Sequence, residues 1–500
     1  MKKYLKISGL SILLLTVVIN IVSCGQEYLD EAKVYTALDG TTFYTSEQDA
    51  VQAVTAAYTI LQGRALYKVE LYALEYSAGD YAMTEGGFQY ANFENFQFDN
   101  TESQVITNVY KDCYKGIARA NAVLDKVPQI SFTDKALQER IIGEARFLRA
   151  LYYFHLAKVY GAVPIIDRLI EGPNDPLYFP SRNPVEEVYA FIEADLKAAI
   201  PVLPNKGEYS AEDRGRATAG AAQGYLGKVY LYQKKFGPAR DAFAEIINGK
   251  YGNYSLVDFE DNFTDSNENN AESVFEIQFV GGFGNIWAGD DTGSETESTY
   301  LGTLFGPKRF GNAYPSDHIN AVFDDNGEAN SLRRIYTIAR PGDSWRSWDP
   351  VTIDQWNARI PDAGGSSAIR KGNLGPDETQ LQSGINYRMM RYADVLLMFA
   401  EAENEANGPT ALAYNAINQV RDRAGVAPLP AGLSKAEFFQ KIKTERELEF
   451  AFEVSKYFDL IRWGLGSEMP GFKVGKNELI PIPASEIGKN ENLLPNNPGW

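Results

Sequence analysis

Cysteine and histidine are nearly absent from this chain. Two cysteines, Cys24 and Cys113, and two histidines, His155 and His318, stand among 500 residues. That excludes a histidine-rich metal site and leaves little for imidazole-based catalysis. Positive charge is also scarce. Lys and Arg total 48 against 66 Asp and Glu, a net charge of −18. A nucleic-acid partner needs a basic face, so this balance excludes one. It equally disfavours electrostatic docking on anionic lipid headgroups. Aromatic rings, by contrast, are plentiful: 30 Tyr, 27 Phe and 6 Trp. No cofactor or metal site is expected.

Cys24 stands at the end of the only leader-like stretch. Lys2, Lys3 and Lys6 precede an apolar run, ISGLSILLLTVVINIV, from Ile7 to Val22. This is the pattern of a secretory signal, and the run is short for a bilayer span, which needs roughly 20 residues. Ile21-Val22-Ser23-Cys24 resembles a bacterial lipobox, with small Ser23 directly before the cysteine. Cleavage there would make residues 1–23 a lipoprotein signal peptide and Cys24 the lipid attachment site. Removing the three lysines takes the charge from −18 to −21. Two or three acyl chains anchor a protein stably, each buried methylene adding about 0.8 kcal/mol. Cys113 is then the only thiol left, so no disulfide forms within one chain. It lies in a helical pattern, VYKDCYKGIARANAVL, as a small buried hydrophobe.

Residues 24–46 read as a polar, lipid-anchored spacer carrying Glu27, Asp30 and Glu31. Ser46 is placed to cap a helix from Glu47 to about Leu61. Helical periodicity returns at 101–127 and 135–160, broken by a Gly- and ring-rich loop at 77–100. Leu226, Gly227, Tyr230, Ala239 and Phe243 stand at tetratricopeptide spacing, with Gly227 and Ala239 allowing close helix approach. That predicts a helix pair, 217–234 with 237–248. Similar pairs are expected at 135–160 with 185–200, at 391–407 with 410–424, and within 434–463. Between 250 and 388 the helical period largely disappears, leaving one strand-like run, Val274 to Val280. The expected fold is mostly α: a tetratricopeptide-like helical-repeat scaffold with a large irregular, partly β insert. Its parts are 47–250 (N-terminal helical part), 251–388 (irregular ligand-binding insert) and 389–500 (C-terminal helical part).

Three C-terminal blocks carry a family resemblance. The first is YRMMRYADVLLMFAEA, from Tyr387. The second is ERELEFAFE from Glu445, with YFDLIRW from Tyr457. The third is LIPIP from Leu479, with Glu486-Ile487 and the terminal NNPGW, where relatives often carry Gln for Asn496 and Tyr for Trp500. These blocks, and the order of lipobox, spacer, repeat helices and insert, resemble the SusD/RagB family of outer-membrane lipoproteins. The resemblance implies a SusD-like α/α superhelix at the cell surface, held in the outer membrane by its lipid anchor. It implies a protein that binds glycan, or in some branches peptide, and delivers it to a partner SusC-like TonB-dependent transporter. It implies no enzyme activity. The acidic residues after Cys24 resemble the export signal of such lipoproteins.

The family blocks themselves read as scaffold. Glu445, Arg446, Glu449 and Arg462 stand at helical spacing suited to ion pairs, and Trp463 and Trp500 to packing. Ligand contacts are expected from the irregular parts, because a flat ring can cover the C–H face of a sugar while burying about 150–250 Å². Trp287, Trp345, Trp348 and Trp356 all fall in the insert. Arg340 and Asp343 stand beside the Trp345–Trp348 cluster, and Tyr81, Tyr90, Asn92 and Phe93 lie in the 77–100 loop. Four tryptophans favour sugar over peptide. Two other function classes remain open: a hydrolase, whose paired carboxylates stand in no recognisable motif here, and a lid that binds only the transporter. Asp265, Asn267, Asn269 and Glu276 match positions 1, 3, 5 and 12 of a calcium loop, but Asn270 replaces its turn glycine. A solvated acidic loop before a strand accounts for that pattern equally well.

Overall fold

The computed structural model describes residues 43–83, 91–98, 103–281, 298–299, 313–340, 343–346, 349–352, 367–372 and 383–500. Six long helices form the N-terminal half: α1 (Glu47–Thr59), α2 (Gln104–Lys126), α3 (Lys135–Tyr160), α4 (Val185–Ala199), α5 (Ala219–Tyr232) and α6 (Phe236–Ile247). Their starts follow capping chemistry. Ser46 and Asp49 close a capping box on α1, while Ser103, Asp134 and Thr218 cap α2, α3 and α5.

Each of these helices packs on the next, α3 against α4 and α5 against α6 as the sequence predicts. Small residues set the closeness. A Cβ on Gly227 would lie 2.7 Å from the Phe243 ring, so the tetratricopeptide spacing records a real contact between α5 and α6. Gly116 does the same for α2 against Tyr152 of α3. Cys113 is fully buried between them.

The C-terminal half supplies α9 (Tyr392–Asn407), α10 (Ala411–Arg423), α11 (Lys435–Phe450) and α12 (Lys456–Arg462). Helix α6 packs directly on α9, so the scaffold runs on without the residues between them. That intervening insert leaves and returns through one ladder: β2 (Ser273–Ile277) pairs antiparallel with β8 (Tyr387–Arg391). The strand-like run is thus a strand. Two short helices, α7 (Asp317–Asp325) and α8 (Leu332–Thr337), stand inside the insert, where the helical period largely disappears. Each is capped by a serine, Ser316 and Ser331, and they run for only 9 and 6 residues. Two-stranded ladders fill in the rest: β1 (Tyr81–Met83) with β3 (Ala313–Pro315), β4 (Ile338–Ala339) with β7 (Ala368–Ile369), and β5 (Ser344–Arg346) with β6 (Asp349–Thr352). No helix among the described residues is long and apolar enough to cross a membrane.

Candidate functional site

The N-terminal loop and the central insert are physically joined. Tyr81 of β1 stands in register with Pro315 of β3, and the Ser316 N–H donates to the Asp80 carbonyl at 2.9 Å. The Ser316 hydroxyl donates to the Gly79 carbonyl. On the other side, the Lys371 ammonium of the insert donates to the Glu449 carbonyl and to Glu453, both at 3.0 Å, at the C-terminal end of α11. Three parts of the chain therefore converge, and a cleft opens between them.

Its walls are rings over a charged floor. Tyr72 and Tyr81 come from the N-terminal part, Phe263 and Lys371 from the insert, and Tyr387 and Phe452 from the C-terminal blocks. Tyr81 meets Phe452 edge to face at 5.0 Å, and Tyr72 meets Tyr387 the same way at 5.8 Å. Phe452 adopts φ of +64°, a left-handed conformation uncommon outside glycine. The Tyr387 hydroxyl accepts the Val454 N–H at 3.0 Å, fixing that turn. Burial holds the Lys371 ammonium below its usual range, with Glu453 opposing the shift. Burial likewise raises the Tyr81 phenol well above its usual value. Such a site offers flat apolar faces with a few fixed polar groups, which suits a ligand with both kinds of surface.

The sequence-predicted residues divide three ways. Tyr81 lines this cleft and is only 2% exposed. Asn92 is exposed on the short Ala91–Glu94 turn, its carbonyl accepting the Gln97 N–H. Phe93 corrects its expectation: it is 1% exposed, stacked on Phe98 at 4.4 Å, and belongs to the core. Arg340 and Asp343 are engaged inside the insert. The Arg340 guanidinium donates to Asp324 at 2.6 Å and to Asn320, and Asp343 accepts from Arg334 and from the Arg340 N–H. Their charges brace α7 and α8. Trp345 sits on β5, and Trp287, Trp348, Trp356, Tyr90 and Cys24 lie outside the described residues. Phe263, Lys371, Tyr387 and Phe452 were not singled out by the sequence, because they come together only through tertiary contacts. The one available signal was that Tyr387 and Phe452 stand in the C-terminal blocks, there read as scaffold.

The remaining charged motifs are structural. Arg446 pairs with Asp394 and Asp459, both at 2.7 Å, and Arg462 with Glu401 and Asp459. Their partners lie on other elements as well as along the helix, which spacing could not show. The Trp463 and Trp500 indoles donate to Glu401 and to the Lys476 and Leu479 carbonyls. Glu276 of the calcium template is 2% exposed and accepts from Asn386 at 3.0 Å and from the Asn269 N–H, with Arg388 3.3 Å away. It fastens β2 to β8 instead of facing solvent. Among the described residues one carboxylate and histidine group has metal-ligand spacing, Asp80, His318 and Glu447. The Lys456 ammonium stands in it, 2.6 Å from Asp80 and 2.5 Å from Glu447.

Comparison with known proteins points one way. Residues 368–472 match the SusD family model, and residues 27–231 match a model described as starch-binding associating with outer membrane. SusD-like protein P2 of Formosa agariphila is 28% identical over the full length of both chains. A SusD homolog from Bacteroides thetaiotaomicron superposes with a TM-score of 0.76 at 25% identity, covering 92% of this chain and 98% of that one. A laminarin-binding SusD-like protein superposes with a TM-score of 0.72 at 27% identity, covering 91% of this chain and all of that one. With both ends of the sequence matched by models of one kind, and the helical scaffold matched across its length, this chain belongs to the SusD family.

Proposed function

We propose that this protein is a surface-exposed outer-membrane lipoprotein, anchored through Cys24, that binds glycan and delivers it to a SusC-like TonB-dependent transporter without cleaving it. The observation that carries the reading is the likeness to a laminarin-binding SusD-like protein over that protein's whole length. The junction cleft supports it, since Tyr81 and Phe452 present rings where the N-terminal loop meets the insert. Trp345, Trp348, Trp287, Trp356, Tyr90 and Asn92 are further ligand contacts by the chemistry of their rings and amide alone. Arg340 and Asp343 hold the insert's shape.

The test is affinity electrophoresis of the full chain in gels containing laminarin, amylopectin or xylan. One polysaccharide should retard the protein, and Trp345→Ala with Trp348→Ala should abolish that retardation. Unchanged mobility in every gel would refute glycan binding. Loss of uptake in cells carrying the double variant, with transporter levels unchanged, would then tie binding to delivery.

A further inference from the structure

We propose that the helical scaffold carries a second glycan site, in two joined clefts at the 206–218 loop, which holds a further stretch of the same neutral polysaccharide. The inference rests on the glycan reading above. One cleft, of about 950 Å³, lies among Lys206, Tyr209, Tyr254 and Asn270. The other, of about 820 Å³, lies among Thr55, Tyr58, Glu212 and Gln278. They share Arg214, Gly215 and Arg216 and are each larger than the junction cleft.

The walls are fixed by their own bonds. Arg216 donates to Glu144 at 3.0 Å, Asp213 at 2.8 Å and Thr55 at 3.1 Å. The Lys206 ammonium donates to the Asn270 and Ser273 carbonyls and sits 4.6 Å over the Tyr254 ring. Gly215, at φ of +97°, lets the loop close onto Gln278, whose amide is held by Asn269. A concave surface whose Lys206, Arg216 and Gln278 side chains are already held is preorganised and loses little freedom on binding.

The rim is different. Arg214 is exposed, and it alone among the arginines with described side chains makes neither a hydrogen bond nor an ion pair. Carboxylates outnumber cations in this chain, 66 to 48, so partners were not in short supply. Glu212, two residues earlier, is exposed and equally unengaged among the described residues. An open five-donor fork stands beside an open acceptor, with the half-buried rings of Tyr209 and Tyr254 lining the cleft. Sugar hydroxyls both donate and accept, so this open donor and acceptor fit a neutral polyhydroxylated chain; the Tyr254 and Tyr209 rings, under Lys206 and Arg140, serve as fixed wall. The Glu212 carboxylate disfavours an acidic one. Two sites on one rigid scaffold would grip a polymer more tightly than a short oligosaccharide through effective concentration.

The test compares the full chain with Glu212→Ala/Arg214→Ala, whose side chains are exposed and outside the core. Titration calorimetry uses the hexasaccharide of whichever polysaccharide retards the protein in the gels above. Wild type should bind two hexasaccharides and the variant one, and the variant's affinity for the polymer should fall about tenfold or more. A stoichiometry of one for wild type, or an unchanged variant, overturns the second site and leaves the glycan reading standing. Failure of laminarin, amylopectin and xylan alike to bind wild type removes both.

Discussion

Arg391 on β8 and Glu449 on α11 meet at 2.9 Å with neither side chain exposed. Arg391 also binds Glu272, just before β2, at 2.7 Å and Glu453 at 2.8 Å. Arg423 joins Glu272 and Glu449, and Arg333 of α8 joins Glu328, Glu445 and Glu449. Lys371 and Arg421 complete the set, giving five cations and five carboxylates among the described residues. This balanced network ties both ends of the insert to the scaffold. Charges this deep tolerate burial only when every one is paired.

Arg391→Met therefore leaves Glu272, Glu449 and Glu453 short of a cation in the interior. The expected loss is about 3–5 kcal/mol, the usual cost of removing one partner of a buried pair. Urea unfolding of variant and wild type measures it. A loss below 1 kcal/mol would mean the network is hydrated or rearranges.

Asp394 sets the acid limb of stability. Burial alone would raise its carboxyl, but Lys228 at 3.1 Å and Arg446 at 2.7 Å override that and hold it at about 2. The folded value lies below the unfolded one of about 3.9, so this stabilisation is present above pH 4 and lost as pH falls toward 2. Roughly 2 kcal/mol of stability should disappear across that window. In Asp394→Asn the fall over the same window should be shallower by about that amount, while stability at pH 7 is lower throughout. Thermal melts from pH 5 to pH 2 read both effects.

The scaffold was legible because helices advertise themselves. Ser46 marks the start of α1, and the Gly227–Phe243 spacing is a contact visible in one dimension. The insert was less legible, since α7 and α8 run for only 9 and 6 residues and the β2–β8 and β4–β7 ladders pair residues far apart in sequence. The site was hardest. Tyr81 and Phe93 stand in the same ring-rich loop and both are buried, Tyr81 against the cleft and Phe93 against Phe98, a difference that spacing cannot show. Arg340 and Asp343 looked available as charges, and only their distances to Asp324 and Arg334 show otherwise. Lys371 carries no motif at all.

Gly227 tests the helix-pair contact. A methyl there would meet the Phe243 ring at 2.7 Å, and Phe243 is fully buried with no room to yield. Gly227→Ala should cost about 1–3 kcal/mol as overpacking, despite alanine's better helix propensity. Gly237, in the first turn of α6, faces open space. Gly237→Ala should stabilise by up to about 1 kcal/mol. Opposite signs in the same denaturation assay separate packing from propensity.

Glu75 governs the alkaline side. It is 2% exposed, on the short Tyr72–Tyr76 helix, and accepts the Tyr457 N–H at 3.2 Å. Burial pushes its carboxyl up to about 8; the Tyr457 N–H opposes this and nearby Asp80 adds to it. The folded value exceeds the unfolded one of about 4.3, so the stability linked to its proton is fully present below pH 4 and is lost as pH rises through 8. Roughly 4 kcal/mol is at stake over that range. Glu75→Gln keeps an acceptor for Tyr457 and cannot ionise. It should match wild type at pH 4 and exceed it in stability at pH 9, with the gap opening between pH 5 and 8. Denaturant unfolding across that range is the measurement. A constant difference between the two proteins at every pH would show that Glu75 ionises in the folded state as freely as in water.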